Sequence, residues 1–130
     1  MIIVDQIFAH VAGDYILQSH WMATEKTRHN LAAAAHAGSY GIPFLIAFRP
    51  SLAALSVIVL THFVIDRWRL ARFVVYAKNF LAPRSQWPTW SDCAGTGYHK
   101  DVPAWLSVWL LIIVDNAMHV GINALALRYL

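Results

Sequence analysis

Apolar positions in this chain gather into four long runs separated by polar connections. Residues 2–18, 31–48, 52–69 and 104–127 each approach the roughly 20 mostly apolar residues that cross a bilayer core as a helix. The third and fourth runs contain SLAALSVIVLTHFVI and AWLSVWLLIIV. Neither has a polar stripe, whereas each helix of a soluble bundle keeps a wet face. The first and second runs are less apolar. They carry Asp5, Gln6, His10, Asp14 and His36, and Pro43 is a site for a kink in the second. Such helices insert poorly alone but hide their polar groups when packed against the other two. The pattern therefore predicts an all-α fold: a four-transmembrane-helix bundle with a long aromatic loop between helices 3 and 4. Residues 1–130 are expected to form a single integral membrane domain.

Composition agrees with that pattern. Only 13% of the 130 residues are charged and 58% are hydrophobic, against about 25% charged in an ordinary soluble domain. High hydrophobicity with low charge excludes intrinsic disorder, and a single cysteine, Cys93, excludes a disulfide scaffold. The net charge is +3, but the aromatic residues lie in apolar runs rather than on a basic face, so nucleic acid is not an expected partner. The N-terminal run lacks a basic flank and carries acidic and histidine residues, so it does not read as a signal peptide.

Basic residues set the expected orientation. Lys26 and Arg28 fall in the first connection, and Arg67, Arg69, Arg72, Lys78, Arg84 and Lys100 in or near the third. Only Arg49 and Arg128 lie on the other side. Lys/Arg excess marks cytoplasmic loops, so both termini are expected outside the cytoplasm of a bacterial inner (plasma) membrane. An unpaired Cys93 suits a reducing compartment. The connection 78–103 holds Phe80, Trp87, Trp90 and Tyr98, and Pro83, Pro88 and Pro103 argue against a long helix there. It reads either as an interfacial aromatic belt or as a lid over a site.

The chemistry lies in polar residues inside the runs. His10, His36, His62 and His119 sit there, as do Asp14, Asp66 and Asp115. A charged group at mid-membrane costs about 2.5–3.5 kcal/mol on the lenient insertion scale. His10/Asp14 and His62/Asp66 are HxxxD pairs, and Asp115/His119 is the same pair reversed. Residues four apart share a helix face, so each pair aims an imidazole and a carboxylate in one direction, and His36 adds another imidazole. This is a ligand set for zinc, iron or manganese, built as helical bundles build their metal sites. Zinc takes three or four protein ligands. Seven candidates suit two ions sharing a carboxylate, or one ion with carboxylates orienting its histidines. Asp115 stands roughly 16 Å into its helix, deeper than the others. Two other readings use the same residues: His–Asp pairs that neutralise each other to specify packing, and an ion or proton relay.

Further positions carry less. Gln18 and Asn123 extend the His10/Asp14 and His119 stripes and can bond a ligand or another helix. Tyr40, one turn beyond His36, can donate a proton or pack. Arg67 and Arg69 can snorkel to headgroups or clamp a phosphate. Lys26 and Lys78 read as topology signals, and His20, His29 and His99 receive no role.

The strings HVAGDYILQSHWMATEK, THFVIDRWR and VDNAMH, with His36 between the first two, resemble domain of unknown function 3307. These are small bacterial and phage membrane proteins with a pattern near HxxxDFxLQ, a lone His, HFxID and DQxxH. Here Tyr15 stands for the usual Phe and Asn116 for the usual Gln, and Arg67 and Arg69 follow the motif where a Lys is common. The long Trp-rich connection is atypical. More distantly, paired His/Asp helices are similar to those of inner-membrane metal-dependent hydrolases related to zinc phospholipase C. The resemblance implies the helical fold and the ligand set.

The expected function is a membrane-embedded metal-dependent hydrolase with one or two divalent ions, zinc favoured, near the cytoplasmic leaflet. Its substrate would be a membrane lipid or lipid-like phosphoester. Ligands would come from His10, Asp14, His36, His62, Asp66, Asp115 and His119. Asp14 and Asp66 would bridge ions or act as base, and Arg67 and Arg69 would grip the phosphate. The alternatives are a non-enzymatic membrane effector, of phage type, that binds a host membrane protein around a structural metal site, and an ion or proton conduit.

Overall fold

The computed structural model describes residues 2–130, with side chains from residue 4 onward, and these residues form helices and turns without a strand. Helix α1 (Ile2–Val11) runs into a π-turn, Ala12–Ile16. Helix α2 (His20–Glu25) starts where the Ser19 side chain accepts from the Met22 amide. Helix α3 (Asn30–Phe48) carries Pro43 inside it, and α4 (Leu52–Trp68) opens on Ser51, which accepts from the Ala54 amide. Then come α5 (Ala71–Lys78), α6 (Trp90–Cys93) and α7 (Ala104–Tyr129).

The all-α expectation holds, but the four-span expectation is corrected. Among the described residues two helices, α3 and α7, are long and apolar enough to cross a membrane. The first run falls short of a span, because α1 ends at Val11 and its π-turn continuation at Ile16, and the next helix begins only after Ser19. The third run yields 17 residues, ended by Arg69 in the left-handed region at φ 53°. Arg49 ends α3 in the same way at φ 47°. The short helices α2 and α5 have no counterpart in the apolar pattern, being too brief to show a period.

The chain forms two compact units. The first takes the residues up to Arg69 together with His119–Leu130, the final turns of α7. Its apolar core is Ala9, Tyr40, Phe44, Ala54, Ile58 and Ala126. Alanines at three of the four contributing helices let the backbones approach. Gly13 marks a close backbone approach: a Cβ there would stand 2.8 Å from the Tyr40 carbonyl oxygen, so the chain following α1 comes this near to α3 only because a side chain is missing. The outward surface of this unit is strongly apolar, with Phe8 69%, Ile46 74% and Leu60 63% exposed. Water penalises such a surface.

The second unit, Leu70–Met118, gives the aromatic connection a fixed form of its own. Phe73 stacks on Trp90 at 5.0 Å, Tyr76 meets Trp90 and Phe80 edge-on, and Phe80 meets Trp87. Arg72 lies over Phe73 and Trp90 and donates to the Ala94 carbonyl. Gly97, at φ +85°, brings its backbone against Arg72 and Val75, where no other residue fits. Lys100 sits 2.8 Å from Asp92. That hydrogen-bonded pair holds the Asp92 carboxyl below its usual range and the Lys100 ammonium above its own. Cys93 is buried beneath the loop, and burial, aided by the Asp92 charge, pushes its thiol up. Native protein should therefore label with maleimide only slowly, and completely once denatured in SDS. Equal rates in both states would contradict this packing.

Candidate metal centre

The i,i+4 stripes of four helices meet in the first unit as two stacked polar layers. α1 and α3 pair in antiparallel register: Asp14 meets His36, and one turn along His10 meets Tyr40. α4 adds His62 and Asp66, and the end of α7 adds His119 and Asn123.

One layer brings together Asp14, His36, His62 and Asp66, all buried, with one donor atom of each within 4.8 Å of the others. Asp14 Oδ1 lies 3.1 Å from His36 Nε2 and 3.8 Å from His62 Nε2. Asp66 Oδ2 lies 3.2 Å from His36 Nε2 and 3.4 Å from His62 Nε2. The two imidazole nitrogens face each other at 2.9 Å. Either one of them carries a hydrogen toward the other, or both lone pairs converge on a cation. A tetrahedral ion bound at about 2.0–2.1 Å would hold its donors roughly 3.3–3.5 Å apart. The five separations that involve an imidazole, 2.9–3.8 Å, bracket that value, and all four donors lie within 4.8 Å of one another. Two imidazole nitrogens and two carboxylate oxygens at this spacing fit a divalent ion. The Nδ1 atoms of His36 and His62 are buried without a hydrogen-bond partner, so the polar bonding of both rings is directed into the cluster.

The other layer is a strut. Tyr40 stacks on His62 with ring centroids 3.7 Å apart, and its hydroxyl lies 2.9 Å from His10 Nδ1. Asn123 Nδ2 donates to that hydroxyl at 2.6 Å. His119 Nε2 contacts the far oxygen of Asp66, Oδ1, at 3.1 Å. It thus orients the carboxylate from behind, as carboxylate–histidine partners do in metal sites. Gln6 Nε2 donates to the Val120 carbonyl and ties α1 to α7 at the same level.

Of the sequence-predicted site residues, four form the cluster, His119 supports it through Asp66, and His10 lies in the strut. Asp115 lies one turn before His119 on α7 and is half-buried. Arg67 donates to the Thr27 and Arg28 carbonyls and to Asn30 Oδ1, clamping the turn between α2 and α3. Arg69 forms the left-handed cap of α4. Gln18 keeps a buried Oε1 without a hydrogen-bond partner.

Lys26 is the residue that sequence reasoning missed. Its ammonium is 2.7 Å from Asp66 Oδ2, 3.2 Å from His36 Nε2 and 3.8 Å from Asp14 Oδ1. It caps the C-terminal end of α2, outside any periodic stripe, and reads from sequence as a loop cation. Charge balance was the available signal: the acids inside the apolar runs, Asp14, Asp66 and Asp115 among them, need a counter-charge, and Lys26 is the first Lys or Arg after Asp14 in the chain.

The family model described as protein of unknown function (DUF3307) matches residues 2–87. That stretch contains all four cluster residues and Lys26, and omits α7. No curated protein matches the chain, and no solved structure does.

Proposed function

The chain belongs to the DUF3307 family of proteins of unknown function, and we propose that it is a membrane-embedded protein that holds one divalent metal ion between Asp14, His36, His62 and Asp66. The observation that carries this reading is the convergence of two imidazole nitrogens and two carboxylate oxygens from three different segments within 4.8 Å of one another. Zinc suits a compact four-donor N/O site best, with manganese or iron as competitors. The membrane reading rests on α3 and α7, which are long and apolar enough to cross, and on the apolar outward surface of the first unit. α1 and α4 would complete the bundle against them, with both termini outside the cytoplasm of a bacterial inner membrane.

The reaction that fits such a centre is hydrolysis of a lipid-like phosphoester. His36, His62 and one of the two carboxylates would hold the ion and leave it an open position, where it would supply an activated water and polarise the ester oxygen, and the other carboxylate, Asp14 or Asp66, would accept the proton. Lys26 favours a second reading. Its ammonium already meets both acids, which describes a metal-free buried network that fixes helix packing, in an effector or a conduit.

Metal analysis separates these readings. Protein purified in detergent and desalted should retain close to one zinc, manganese or iron per chain. A folded, helical protein with no retained metal, and none taken up on titration, would reject the metal centre. The enzyme reading requires in addition that the loaded protein cleave a phospholipid in vesicles and that His62→Ala lose the activity. An effector would keep its cellular phenotype in that variant.

A further inference from the structure

We propose that Lys26 and the metal together form a seat for a phosphate oxyanion, with Lys26 as its anion-binding residue. This rests on the metal reading above and assigns the substrate end of the same site.

Distance comes first. Lys26 Nζ lies 2.7 Å from Asp66 Oδ2. An ion bound to that oxygen at about 2.1 Å can stand no more than about 4.8 Å from the ammonium. Two positive centres that close repel strongly in a site shielded from water, and a single carboxylate oxygen, Asp66 Oδ2, is shared between them. A phosphate oxygen on the ion with a second oxygen on the ammonium fits that gap.

Charge is the second argument. A metal-ligating histidine is neutral, so two carboxylates against one divalent ion and one ammonium leave a single positive charge in a buried site. Buried charge needs a partner, and an incoming anion would supply one.

Access is the third. The side chains of Asp14, His36, His62 and Asp66 are 0–7% exposed, whereas that of Lys26 is 19% exposed. Lys26 therefore stands where the cluster opens outward. Its backbone is held, because Arg67 clamps the adjoining Thr27 and Arg28 carbonyls. The flexible four-carbon stem is left to move the ammonium from Asp66 onto an incoming anion. Arg67, the phosphate grip expected from sequence, thus serves by fixing the turn that carries Lys26.

The test uses zinc-loaded, desalted full-length protein and calorimetric titration with inorganic phosphate, comparing wild type with Lys26→Met and Lys26→Arg. Wild type and both variants should retain metal. Lys26→Met should bind phosphate at least tenfold more weakly, and Lys26→Arg should recover most of the affinity. Equal phosphate affinity in wild type and Lys26→Met, with metal retained in both, overturns the role of Lys26 and leaves the metal centre standing. Failure of wild type to take up metal overturns the metal reading and this seat with it. Vesicles then separate the sources of the oxyanion. Competition by phosphatidate vesicles, and none by phosphatidylcholine, assigns the seat to a lipid headgroup. Binding of phosphate without competition from either assigns it to a soluble phosphate. Lys26→Met that no longer retains metal overturns the proposal, since Lys26 would then build the centre rather than face its substrate.

Discussion

Asp66→Ala should lose the metal entirely and destabilise the protein by about 3–5 kcal/mol, the range seen when one partner of a buried charge network is removed. Asp66 is where the cluster converges. Its Oδ2 meets Lys26, His36 and His62, and its Oδ1 meets His119. Without the carboxylate, the Lys26 ammonium remains beside the His36 imidazole, with Asp14 3.8 Å away to balance it. Asp66→Asn separates the two consequences. It keeps the volume and one oxygen, so stability should fall less, while metal retention should still drop at least tenfold because the anionic ligand is gone. Denaturant unfolding in detergent, paired with metal content per chain, checks both. A stable Asp66→Ala protein that retains one ion would show that the cluster is not the binding site.

The second large effect is expected at a residue that touches no metal. Gly13→Ala puts a Cβ 2.8 Å from the Tyr40 carbonyl oxygen and 3.0 Å from Tyr40 Cα. The obstacle is backbone, which cannot rotate away, so α1 must move from α3. Overpacking of this kind costs about 1–3 kcal/mol. It also carries Asp14, the next residue, away from His36, a contact now at 3.1 Å, and lifts His10 from Tyr40. Metal affinity should therefore fall by tenfold or more although every ligand is intact. Gly41→Ala is the control. There the nearest atom, at 2.7 Å, is a methyl of Val59, which can yield, so metal affinity should stay within a few-fold of wild type. Equal metal affinity in Gly13→Ala and wild type would mean that the α1–α3 approach does not set the site.

The π-turn gives this argument a local basis. Single π-turns in helices often accompany functional positions, and here Ala12–Ile16 contains both Gly13 and Asp14. The widened turn lets the glycine reach the Tyr40 backbone while the following carboxylate still points at His36. The HxxxD spacing of His10 and Asp14 shows that the two share a side of α1. It does not show that they divide between two layers, His10 to the strut and Asp14 to the cluster, because that depends on the antiparallel register of α1 on α3.

Much of the architecture follows from local properties of the chain. The apolar runs mark α1 with its π-turn, α3, α4 and α7 to within a few residues, since a helix long enough to bury a face shows its period. Residues four apart share a face whatever the fold, so the stripes of His10/Asp14, His62/Asp66 and His119/Asn123 are legible before any packing is known. The number of runs long enough to cross a membrane was overread, because helix ends at Ile16 and Arg69 depend on turn geometry that apolar content does not record.

Partners across helices belong to the tertiary structure alone. That His36 meets Asp14 on one side and His62 on the other, that Tyr40 braces His62, and that Arg67 holds the turn from which Lys26 reaches Asp66 all depend on register between elements. Register is set by which small residues let two backbones approach, and Gly13 against Tyr40 is one such point. The amino-acid order thus determined which polar side chains each helix must hide. The packing of those helices decided which of them hide together, because hydrogen-bonding and ligand contacts act over about 3 Å and a shift of one turn moves a side chain by about 5.4 Å.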